Sequence, residues 1–300
     1  VVAHEMAHMW FGNVVTMYWW DDLWLNEAFA EWMAHKACHA IEPSYKIWED
    51  FAEDKARALF DDALQSTHSI YTPVATPEEA LEMFDSITYQ KGCAVMRQLE
   101  NFLTEDAFRA GLRAYMKQHC WGNATGADLW RALEAASKQP VPTLMKSWIE
   151  QPGFPVVDVA LVSDKAGARL KISQRRFFSD PKAPSSEQRW IIPLVVRYED
   201  DTGVRTHRFL MSDSATHEET LPATGTVRWV YANADDIGFY RLRMDEATLS
   251  SLLEQGLGKL SAAEQVGLLE DQWAMVRSAK LEIGPFLDVV RALSKIPEHN

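Results

Sequence analysis

"VVAHEMAHMW", residues 1–10, sets His4 and His8 four apart, with Glu5 directly after the first, in a segment otherwise almost wholly apolar. Positions four apart on an α-helix stand on one face, so both imidazoles can point at a single ion. Ring nitrogens suit zinc at roughly 2.0–2.1 Å. Glu5, one residue round from His4, can reach a water beside the metal without ligating it. The competing explanation is a pair of satisfied core histidines on an amphipathic helix. Chance weighs against that: a random chain of this length shows the pattern on the order of one time in a hundred. Gly12-Asn13 predicts the stop of this first helix.

A catalytic zinc takes three protein ligands and leaves a fourth position open, and Glu27 meets the need. Eighteen residues intervene between His8 and Glu27, enough for a loop and a second, antiparallel helix. The setting of Glu27, "WLNEAFAEW", is an aromatic-rich helix interior where an unpaired carboxylate would be costly. A snorkelling or salt-bridged Glu27 is the structural alternative. Glu31, four residues after Glu27, could orient His4 from behind, or serve as an ordinary surface or ion-paired residue.

Working outward, "DLWLNEAFAEWMAHKACHAI" (22–41) carries Leu25, Ala28, Phe29, Trp32 and Met33 at the spacing of one helix face, with Asp21 and Asp22 where an N-cap is wanted. Thr76, Pro77 and Glu79 open a helix over 76–84. Helical patterns continue over 90–103, 105–119, 126–137 and 142–151. At "QPGFPVVDVALV" (151–162) proline and glycine break the helix, and the period changes to alternation. Val157, Val159 and Leu161 alternate as in a strand, and with short strands over 169–177, 189–199, 205–211, 226–233 and 238–244 they predict a small antiparallel β-sandwich. The helical period returns from Glu246. The expected architecture is therefore multidomain α + β: a helical lobe over 1–152, a β-sandwich over 153–245 and the start of an α-helical array over 246–300.

The segment "HEMAHMWFGNVVTMYWWDDLWLNEAFAEW" resembles the gluzincin zinc metallo-aminopeptidases of the aminopeptidase N and puromycin-sensitive aminopeptidase group. Their pattern is H-E-x-x-H, eighteen residues, then E, with W-F-G-N after the second histidine and W-L-N-E-G-F-A round the third ligand. Ala28 stands where the family usually has glycine; the small size is kept. The resemblance implies a thermolysin-like catalytic lobe, one Zn2+ per chain held by His4, His8 and Glu27, and Glu5 as general base. "FDSITYQKGCAVMRQLENFL" (84–103) is similar to the family segment whose tyrosine precedes x-K-G. The resemblance implies that Tyr89 donates a hydrogen bond to the oxyanion of the tetrahedral intermediate. "PGFPVVDV" and "DIGFYRLRMD" look like the family's junctions into and out of its β-sandwich. The family's G-x-M-E-N stretch, which grips the substrate's α-amino group, has no counterpart in these 300 residues, so the chain is expected to be a fragment that alone can be inactive. The implied activity is hydrolysis of the amino-terminal bond of peptides with a free N-terminus. Two alternatives remain: epoxide opening, as in a leukotriene-hydrolase-like relative, and a non-enzymatic zinc-binding scaffold.

With 30 basic and 43 acidic side chains the net charge is −13, which argues against a nucleic-acid or anionic-membrane partner. No run of apolar residues is long enough for a membrane span. Cys38, Cys93 and Cys120 are too few and scattered for a disulfide framework. They suit a reducing compartment, and a cytoplasmic location is the expectation. Most of the twelve tryptophans should be core. His35, His39, His68, His119, His207, His217 and His299 lack paired spacing and are expected at the surface or in packing. Oligomeric state has no signal in the sequence.

Overall fold

The structure, a computed structural model, describes residues 1–164 and 167–296; His299 lies outside the described residues. These contain eleven α-helices and three small sheets, a mixed helix and strand composition. The chain divides into two compact units, residues 1–62 with 66–153, and residues 63–65 with the described part of 154–300.

The first unit is mainly helical. Helix α1 (Val2–Ala7) is followed by strand β1 (Val15–Met17) and helix α2 (Leu23–Ile41). Then come α3 (Ile47–Asp61), α4 (Pro77–Glu82), a π-helical turn over Ile87–Lys91, α5 (Gly92–Leu103) and α6 (Glu105–His119). Strand β2 (Gly122–Ala124) pairs parallel with β1, and α7 (Gly126–Ser137) and α8 (Val141–Ile149) complete the unit. The face expected of α2 is real: Leu25, Ala28, Phe29 and Trp32 are buried and Met33 is half-buried. Thr76 caps α4 by accepting from the Glu79 amide.

Two local expectations are corrected. Helix α1 stops at Ala7, not at Gly12-Asn13, because the chain turns through Met9 and Trp10. The Asn13 amide, five residues on, takes the His8 carbonyl. Asp21 and Asp22 make no side-chain cap for α2. Asp21 Oδ1 instead accepts from the Val74 amide, while Asp22 accepts from Trp24 Nε1 and the Gly126 amide. Both carboxylates tie distant loops together, and the 3-10 turn over Trp20–Asp22 leads the chain into the helix. Six tryptophans are buried (Trp24, Trp32, Trp130, Trp148, Trp190, Trp229), half of the twelve rather than most; Trp10, Trp19, Trp121 and Trp273 are exposed.

The second unit holds two sheets and three helices. Strands β3 (Pro155–Asp164), β4 (Gly167–Arg176), β5 (Ile192–Asp200), β6 (Gly203–Met211), β7 (Thr216–Thr220), β8 (Trp229–Tyr231) and β9 (Arg241–Met244) form sheets ordered β7-β4-β3-β9 and β6-β5-β8. Pairing is antiparallel except for β9, which runs parallel to β3. Burial alternates along β4, as expected of a strand with one covered face. Helices α9 (Glu246–Ser251), α10 (Ala262–Arg277) and α11 (Ile283–Leu293) follow. Ser261 and Glu264 form a reciprocal capping box at the start of α10. All three cysteines are unpaired thiols, and no helix among the described residues is long and apolar enough to cross a membrane.

Candidate metal centre

Helix α1, the His8 cap that ends it and helix α2 bring three ligand-bearing side chains to one point. His4 and His8, on consecutive turns, present their Nε2 atoms 3.0 Å apart. Glu27 Oε2 lies 3.4 Å from His4 Nε2 and 3.5 Å from His8 Nε2. His4, His8 and Glu27 form the one such ligand group among the described residues. The opposite ring nitrogens are already committed: His4 Nδ1 is 2.8 Å from Glu31 Oε2, and His8 Nδ1 is 2.9 Å from the Phe11 carbonyl oxygen. Both of those partners are acceptors, so each Nδ1 carries the proton. In a neutral ring the Nε2 is then a bare lone pair. Two such lone pairs and a carboxylate oxygen converge on one point, which a cation relieves.

The spacing fits zinc. Four ligands at 2.0–2.1 Å in a tetrahedron stand about 3.3 Å from one another, and the three observed separations bracket that value. Histidine and carboxylate donors are also those of catalytic zinc sites. Glycine maintains the geometry at two places. Gly12 has φ +130° and faces the ring of His8, so an added Cβ would meet the His8 carbonyl oxygen at 3.3 Å and Nδ1 at 3.5 Å. Gly92, beside the π-helical turn, packs so closely on α2 that a Cβ would sit 2.4 Å from that of Ala28. The Gly92–Ala28 contact keeps the Tyr89 turn against the helix that carries Glu27.

Tyr89 is half-buried, with its ring stacked on His4 at 6.0 Å between centroids and 17° between planes. Its hydroxyl donates to Glu27. Burial, then that bond and the negative charge of Glu27, Glu31 and Glu5, push the phenol well above its ordinary range. It therefore stays a neutral donor throughout the physiological range. Glu5 is exposed, one residue round from His4, and its charge is felt at Tyr89. Behind the tyrosine the fully buried Lys91 pairs with Asp62 at 2.8 Å and donates to the Gly153 carbonyl. Asp62 Oδ1 accepts from the Gly153 amide and Thr67 Oγ1. That closed cluster anchors the C-terminal end of the turn.

Three partners escaped the sequence. His35 is buried between Trp48 and Phe51 and its Nδ1 bonds the Glu31 carbonyl, which steadies the helix turn holding Glu31. His68 pairs with Asp85. Lys91 lies inside the quoted x-K-G segment, yet nothing local signals its burial. All three contacts but the His35 carbonyl bond join residues far apart in the chain, and periodicity does not report them.

Residues 1–148 match the peptidase family M1 domain and residues 229–299 the ERAP1-like C-terminal domain. Over its first 148 residues the chain is thus similar to the peptidase M1 family. Among its relatives, it is 37% identical over 301 residues to the puromycin-sensitive aminopeptidase of Caenorhabditis elegans, covering 100% of this chain and 32% of that protein. It is 36% identical over 297 residues to aminopeptidase 2 of Candida albicans, covering 98% and 31%. It is 35% identical over 299 residues to the tricorn protease-interacting factor F2 of Thermoplasma volcanium, covering 99% and 36%. The chain thus spans about a third of the length of these relatives.

Proposed function

We propose that this chain carries the metal-binding and hydrolytic half of a zinc aminopeptidase site, acting on peptides with a free N-terminus. The observation that carries the proposal is the convergence of the His4 and His8 Nε2 lone pairs with Glu27 Oε2 at 3.0–3.5 Å, each histidine fixed from behind by an acceptor. Under it, His4, His8 and Glu27 hold one Zn2+. Zinc, when bound, supplies a Lewis acid that polarises the scissile carbonyl and lowers the pKa of water toward about 7. The Glu5 carboxylate takes a proton from the attacking water and hands it to the departing amine. The Tyr89 hydroxyl, kept protonated by its surroundings, donates to the oxyanion as negative charge grows there. Glu31 and the Phe11 carbonyl hold the two imidazoles in the tautomer that leaves Nε2 free to ligate. Domain organisation follows the same proposal: a thermolysin-like lobe to residue 152, a β-sandwich over 153–245 and the opening helices of an array from 246.

The names of the relatives support an aminopeptidase over the epoxide-opening and scaffold alternatives. The test is hydrolysis of aminoacyl-anilides, alongside metal analysis, by the zinc-loaded chain and by a longer polypeptide that contains it. Glu5→Gln should keep zinc and lose turnover by about 10²–10⁴ in whichever form is active. Unchanged turnover in that variant would remove Glu5 as the base.

A further inference from the structure

The turn that carries Tyr89 is held at its N-terminal end by an ion pair to which the proposed hydrolysis assigns no role. His68 Nε2 is 2.6 Å from Asp85 Oδ2, and His68 Nδ1 is 2.8 Å from the Ser69 carbonyl oxygen. Both partners are acceptors. A neutral imidazole carries one N–H and can serve only one of them; the imidazolium serves both. The second Asp85 oxygen accepts from the Ile87 and Thr88 amides at 3.0 and 3.1 Å, and the Asp85 carbonyl accepts from the Tyr89 amide at 3.1 Å. Asp85 thus ties the first three amides of the π-helical segment's opening to itself, while His68 fixes Asp85.

We propose that His68 is a positioning residue for Tyr89: protonated, it clamps Asp85, and through Asp85 it sets the placement of the Tyr89 phenol, which therefore follows the charge on His68. The catalytic consequence rests on the role proposed above for Tyr89; the clamp itself does not. The groups facing His68 and the turn are few. Asp85 favours the imidazolium, and Lys91 at the far end of the turn opposes it but is itself paired with Asp62. Asp61, the last residue of α3, accepts from Ser86 Oγ. Glu27, Glu31 and Glu5 face the phenol from the metal side. The bond to Asp85 lifts His68 above the ordinary histidine range, outweighing burial. Burial works to raise Asp85, but His68 and the Thr88 and Ile87 amides pull it below the usual carboxylate range. The sign follows. The clamp's contribution is complete below the ordinary histidine pKa and is lost as pH rises through the elevated one. At the acid end it is present above the ordinary carboxylate pKa and lost as pH falls through the depressed one.

NMR titration of the 300-residue chain tests this directly. The His68 ring should titrate above the ordinary histidine range, and the Ile87, Thr88 and Tyr89 amides and the Tyr89 ring should shift with the same midpoint. In Asp85→Asn the side-chain oxygen can still accept from the amides but holds no imidazolium. His68 should return to an ordinary midpoint and the matching Tyr89 response should vanish. His68→Gln should likewise abolish it. Tyr89 signals that stay flat through the His68 midpoint in the unsubstituted chain, or a co-titration that survives Asp85→Asn, would overturn the proposal; the latter outcome would assign the response to His4 or His8. No step needs zinc or turnover, so failure of the peptidase proposal would be seen separately, in absent anilide hydrolysis.

Discussion

Lys91 and Asp62 close on each other, whereas His4, His8 and Glu27 face a common point that none of them fills. In the closed pair the ammonium meets a carboxylate at 2.8 Å and a carbonyl at 3.1 Å, and the carboxylate's other oxygen takes an amide and a hydroxyl. Opposite charges meet there inside the protein. At the histidines acceptors predominate: those behind the rings fix both protons outward, and three further lone pairs meet beside the Tyr89 hydroxyl. Buried polar clusters of the first kind stabilise a fold; one of the second kind suits a cation, as proposed for His4, His8 and Glu27. The difference lies in the count of protons, which is why burial alone does not distinguish them.

Breaking each cluster should therefore have opposite consequences. Lys91→Met removes the charge that balances Asp62 and should destabilise the chain by about 3–5 kcal/mol, read from denaturant unfolding. Glu27→Ala should leave the metal-free chain close to its original stability, since it relieves a crowding of acceptors, while abolishing the stabilisation that added zinc provides. A metal-free chain as badly damaged by Glu27→Ala as by Lys91→Met would erase the contrast. Next in size, Tyr89→Phe removes the donor and should slow hydrolysis by roughly 10²–10³ in whichever form is active. Its zinc affinity should stay nearly the same, and a rate equal to that of the unsubstituted protein would exclude the phenol from the reaction. The smallest effect sharpens the comparison rather than breaking it. Glu31→Ala frees the His4 ring to rotate and should weaken zinc binding by about 10–100-fold, measured by competition with a chelator; an unchanged constant would make Glu31 an ordinary surface acid.

Much of this was legible in the sequence, and the limits have a physical pattern. Helix 105–119 reads off its period because its apolar face is unbroken by charge, and α6 occupies those residues. Helix α3 gives no clear apolar period, because "IWEDFAEDKARALFD" is half charged and one of the residues on its buried face is Lys55. The convergence of His4, His8 and Glu27 follows from helical spacing and one loop, both local quantities. Asp22 shows the opposite case: it sits where a cap belongs, yet its oxygen is spent on Gly126, more than a hundred residues away. His68 is equally opaque, since its charge depends on Asp85 and on a carbonyl whose direction only the folded chain sets. The parallel β3–β9 pair in a sheet expected to be antiparallel likewise depends on where the chain returns after the second sheet, which strand alternation does not encode.

The most direct test is to titrate zinc into the metal-free chain while following the nitrogen resonances of His4 and His8. One zinc per chain, with both Nε2 signals moving to the metal-bound range and with Glu27→Ala greatly weakening the binding, is the expected result. Zinc that binds with both rings unperturbed, or that binds Glu27→Ala as tightly as the original chain, would contradict a centre built from these three side chains.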